Sequence, residues 1–106
     1  MVERYYDRKG NLGVLISPDN GTGWSTYNNL ELALDRRIIE KWLFEKPTED
    51  EMRDFLRSIG YDDYINMYGY DNLKLEFVPQ GIEFLITEYD GSEEIVYVQD
   101  LQIIKA

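Results

Sequence analysis

From Leu73 onward apolar and polar residues alternate with a period of two, Leu73, Leu75 and Phe77 standing against Lys74 and Glu76, which predicts a half-buried strand. Val78-Pro79-Gln80-Gly81 suits a β-turn with proline at its second position, and Ile82, Phe84 and Ile86 mark the inward face of a second strand. Asp90-Gly91 is a strong hairpin signal ahead of a strand over Glu94–Gln99, which residues 101–104 extend or follow with another. Near the N-terminus, Glu3–Tyr6 and Leu12–Ser17 read as two strands joined by the turn Asp7-Arg8-Lys9-Gly10-Asn11, a first hairpin.

Between these strands the period changes. Asn28 or Asn29 can cap a helix from about Leu30 to Glu45, ended by Pro47. Leu30, Leu34, Ile38 and Trp42 share one row of that helix, whereas Leu32, Ile39 and Leu43 point elsewhere, so it is expected to be contacted from two sides. Those sides are the domain core and a second subunit, or two parts of one domain. Thr48 and Glu51 have the spacing of a capping box. Met52, Phe55, Leu56 and Ile59 then form the single apolar stripe of a second helix, stopped by Gly60. Residues 61–70 hold four tyrosines and are too irregular to assign beyond a turn or short helix; the tyrosines line a pocket or cover a core edge. The expectation is an α+β fold, a mostly antiparallel sheet with two main helices, formed by one domain over residues 1–106.

Composition narrows the function. The chain has no histidine and no cysteine, which removes imidazole bases and ligands, thiol nucleophiles, disulfides and zinc-thiolate sites. It has no apolar run of about 18 residues and no secretory-signal pattern, so it reads as cytoplasmic and not membrane-bound. The net charge of −10 opposes binding to polymeric nucleic acid or an anionic membrane. Charge is also uneven, with seven acidic and seven basic residues in positions 1–46 but fourteen and four in positions 47–106. Asp19, Asp62-Asp63 and Glu93-Glu94 match no metal-ligand spacing; the last two alternate faces on a strand and read as surface charge.

The densest concentration of recognition chemistry is Ser17-Pro18-Asp19-Asn20-Gly21-Thr22-Gly23-Trp24-Ser25-Thr26. Gly21 and Gly23 let the backbone approach a ligand, Thr22, Ser25 and Thr26 offer hydroxyls, and Trp24 offers a stacking face. Gly21-x-Gly23 lacks the lysine of a phosphate loop and the third glycine of a dinucleotide fold. Amides and hydroxyls can still hold phosphate without those motifs, with Trp24 stacked on a purine and Arg8, Arg36 or Arg37 neutralising charge. The opposing reading is that Trp24 is a core residue anchored by a glycine-rich connection.

Tyr6-Asp7, Gly10, Leu12-Gly13 and the run Gly21–Thr26 resemble a group of small bacteriophage proteins, and the similarity continues through Ser58–Tyr61, Glu76–Pro79, Gly81, Phe84 and Ile86–Gly91. Through that group the chain resembles the immune-evasion sponges that sequester cyclic nucleotide signals of bacterial defence, in particular those opposing CBASS. The resemblance implies a non-enzymatic homo-oligomer in the cytoplasm of an infected bacterium. It would bind a small nucleotide ligand through the glycine-tryptophan loop without cofactor or metal. The alternative is an acidic inhibitor that mimics nucleic acid or masks a basic surface of a host defence protein, through Asp62, Asp63, Glu93 and Glu94.

Overall fold

In the computed structural model the described residues are 2–19 and 23–101. The order of elements is β1 (Leu12–Ile16), α1 (Glu31–Leu34), α2 (Arg36–Glu40), α3 (Glu49–Ser58), β2 (Lys74–Val78), β3 (Phe84–Tyr89) and β4 (Ser92–Tyr97). This is an α+β arrangement of two antiparallel two-stranded sheets, β1–β2 and β3–β4, and three helices. Register runs from Leu12 opposite Val78 to Ile16 opposite Lys74 in the first sheet, and from Phe84 opposite Tyr97 to Tyr89 opposite Ser92 in the second.

Strand β1 organises the interior because both its faces are covered. Leu12, Val14 and Ile16 join Ala33 and Val78 in a cluster closed by Phe84, Ile86, Ile95 and Tyr97 of the second hairpin. Leu15, on the opposite face, joins Trp24, Leu32, Ile38, Ile39, Met52, Leu56 and Tyr70. The β3–β4 hairpin thus covers one side of β1 and the helices cover the other, the layered solution expected when each element has one apolar face.

Several local expectations hold. The Thr48 hydroxyl accepts from the Glu51 amide at 3.2 Å while the Glu51 carboxylate accepts from the Thr48 amide at 2.9 Å, the reciprocal pair that starts α3. At its end the Gly60 amide donates to Arg57 and the Tyr61 amide to Leu56, which satisfies two carbonyls the helix would otherwise leave open. Asp90 and Gly91 both have positive φ, 51° and 84°, as a two-residue hairpin requires.

Four expectations need correction. Glu3–Tyr6 forms no strand; the first hairpin reduces to one bridge, Tyr6 to Leu12, flanked by bonds from the Asp7 amide to Asn11 and the Gly13 amide to Tyr5, while β1 takes β2 as its strand partner. The helix expected over Leu30–Glu45 breaks at Asp35, whose extended ψ of 116° separates α1 from α2 and whose carboxylate caps Arg37. Its continuation, Lys41–Glu45, is a single π-type turn ended by Lys46 in the left-handed conformation. The break resets the helical phase, so Ile38 is buried while Leu30, on the same expected row, is exposed. In the β2–β3 connection the Ile82 amide donates to Pro79, which places proline first in that turn. Residues 98–100 form a 3-10 turn, and 102–104 lie outside the described residues.

Candidate functional site

Glu93 explains the glycine-tryptophan loop. It lies on the inward face of β4 and is 2% exposed. Its Oε1 accepts from the Ser17 amide at 2.8 Å. Its Oε2 accepts from the Trp24 amide at 2.9 Å, the Thr26 amide at 3.0 Å and the Thr26 hydroxyl at 2.6 Å. The Glu93 amide returns a bond to the Ser17 carbonyl at 2.8 Å, and the Ser92 hydroxyl donates to the Pro18 carbonyl. A desolvated carboxylate needs such donors, and both ends of the loop supply them. Glu93 is therefore not surface charge; the hairpin carries it under the loop.

Trp24 is correspondingly not a stacking platform. Its side chain is fully buried, its ring centroid lies 6.1 Å from that of Tyr70, and its Nε1 donates to the Leu32 carbonyl at 3.2 Å. Ser25 is buried too, its hydroxyl without a hydrogen-bond partner among the described residues. Thr26 spends its hydroxyl on Glu93. Gly23 is needed for close approach: a Cβ there would stand 2.5 Å from Thr26 Oγ1 and 3.1 Å from Glu93 Oε2. Gly21 and Thr22 lie outside the described residues.

The three arginines do not converge on this loop. Arg8 is exposed in the turn before β1. Arg36 pairs with Glu40 one helical turn away. Arg37 pairs with Asp35 through Nε at 3.1 Å and Nη2 at 2.8 Å. Burial alone would raise the Asp35 carboxyl, but the bonds from Arg37 and from the Tyr61 hydroxyl, at 2.9 Å, outweigh it and hold the pKa below the ordinary value. The same bond, added to burial, pushes the Tyr61 phenol well up.

Accessible aromatic chemistry lies elsewhere. A cleft of about 330 Å³ is lined by Tyr27, Asn28, Asn29, Tyr61, Asp62, Tyr64 and Ile65. Tyr64 is 90% exposed and its amide donates to Asp62 Oδ1 at 2.9 Å. Asn28 forms a fixed wall, its amide group donating to the Trp24 and Asn66 carbonyls and its oxygen accepting from the Asn66 amide. Two of the four tyrosines in residues 61–70 line this cleft; Tyr70 is instead buried, its hydroxyl donating to the Pro47 carbonyl and its pKa pushed up to about 12 by burial. A second cleft of about 480 Å³ is lined by residues that include Arg4, Tyr6, Pro79, Gln80 and Phe84.

No protein family, curated protein or solved structure matches this chain. Among the described residues no cluster of three metal-ligating side chains occurs, and no helix is long and apolar enough to cross a membrane.

Proposed function

We propose that the protein is a binding module that docks its acidic, tyrosine-bearing surface onto a basic surface of a partner protein, acting as an inhibitor. The observation that carries this reading is the cleft of Tyr27, Tyr61 and Tyr64 edged by Asp62, on a chain of net charge −10. Tyrosines supply large contact area at low entropic cost and are frequent interface anchors, while a like-signed field steers an oppositely charged partner. In the setting that the resemblance to small phage proteins implies, the partner is a host defence protein.

The test compares the wild-type chain with an Asp62→Lys, Asp63→Lys, Glu94→Lys variant as baits in lysate of a bacterial host. Glu93 is left intact because it supports the loop. A partner held by wild type, released near 1 M salt, where the screening length is about 3 Å, and lost from the variant supports docking. Equal capture by both chains overturns it.

A second reading, sequestration of a small nucleotide, is favoured by the other cleft, where Arg4, Tyr6 and Gln80 bring a cation, a ring and an amide together. A pocket of a few hundred Å³ has the size of ordinary small-molecule sites. In this reading the ligand occupies that cleft and not the face of Trp24.

A further inference from the structure

We propose that the cleft between Tyr27, Tyr61 and Tyr64 receives one cationic side chain, an arginine or lysine of the docked partner, as an aromatic cage with Asp62 at its rim. The inference rests on the docking function above and names the chemistry of its anchor.

Three rings around one cleft offer several π-faces, and a cation over such a face is attracted by the ring quadrupole. The hydroxyl of one of them is already directed at a carboxylate: Tyr61 donates to Asp35 at 2.9 Å. A phenol donating to a carboxylate carries more electron density in its ring, so this ring attracts a cation more strongly. The Tyr27 phenol is raised in pKa by burial and then by the nearby charge of Glu88. Asp62 Oδ1 accepts from the Tyr64 main-chain amide at 2.9 Å, which holds the Tyr64 backbone beside the carboxylate. The adjoining recess adds Glu31 and Arg37, and Arg37 is neutralised by Asp35. The local balance is negative, which rejects a phosphate and welcomes a guanidinium or ammonium group.

The experiment uses the full chain, labelled with 15N and titrated at low salt with a nine-residue peptide of alternating arginine and glycine. A matching peptide carries citrulline, which is neutral. Expected are amide shifts centred on Tyr27 and residues 61–65, no binding of the citrulline peptide, and weakening by about two- to fivefold in Tyr64→Ala, the range for an exposed cation-π contact. Tyr89→Ala is the control, because Tyr89 is 86% exposed but does not line the cleft. A peptide that binds with shifts spread over other acidic positions, and with Tyr64→Ala unchanged, overturns the cage while leaving docking intact. A peptide that does not bind at all overturns the docking reading and the cage with it.

Discussion

Replacing Glu93 by glutamine keeps the volume of the side chain and removes only its charge and one acceptor. Oε2 receives three donors and Oε1 one, so the amide oxygen takes the Oε2 position and the new NH2 group faces the Ser17 N–H. One charge-assisted bond is then lost, about 1.5–3 kcal/mol, and a buried N–H is left opposed by another donor, a further ~1–3 kcal/mol. The sum, about 2.5–6 kcal/mol, is a large part of the ~5–15 kcal/mol that holds a domain folded. At roughly 4 °C or more per kcal/mol for a chain of this size, Tm falls by about 10 °C or more. Calorimetric melts at pH 7 of wild type, Glu93→Gln and Glu94→Gln check this, since the exposed neighbour should shift stability by less than about 0.5 kcal/mol. A Glu93→Gln protein that melts within about 2 °C of wild type, well inside one kcal/mol, would refute the assignment of Glu93 as the anchor of the loop.

The other predictions concern the same core. Trp24→Ala opens a cavity at a fully buried site and costs about 3–5 kcal/mol in urea unfolding, an effect on folding first; a wild-type midpoint would contradict the burial. Gly23→Ala forces a methyl against Thr26 Oγ1 and lowers stability by about 1–3 kcal/mol, with a loss below that range showing that the loop yields freely. Asp35 has a depressed folded pKa, so its contribution is fully present above the unfolded value near ~3.9 and disappears as pH falls through the folded value. Asp35→Asn is therefore expected to be less stable at neutral pH and to lose less on acidification than wild type, and parallel acid profiles of the two proteins would exclude this linkage.

Features written within a few consecutive residues were legible. The Thr48–Glu51 box, the stop at Gly60 and the Asp90-Gly91 hairpin depend on local dihedrals and capping alone, and each is present. The inward face of β3 was legible for the same reason, through the alternation of Ile82, Phe84 and Ile86. What escaped depends on distant partners. Asp35 breaks a continuous apolar pattern because Tyr61, 26 residues away, and Arg37 satisfy a carboxylate buried there. The Glu93 link spans 67 to 76 residues, and its sole local trace is an acidic residue at an inward strand position. Glycine beside tryptophan fits a ligand loop and a buried anchor equally well, and the choice was made by a carboxylate that no local pattern connects to it. The tyrosine cleft was half visible: the cluster at residues 61–70 is plain in the sequence, but Tyr27 joins it only through the tertiary fold.

Calorimetric titration of the purified chain with the arginine-glycine peptide, at low and high salt, beside a panel of cyclic di- and trinucleotides tests the central claim most directly. Docking through the acidic tyrosine surface predicts that the peptide binds with an affinity that falls as salt is added, and that no nucleotide binds. Nucleotide bound tightly and recovered intact after heat denaturation, with the peptide ignored, would contradict it and assign the protein to sequestration instead.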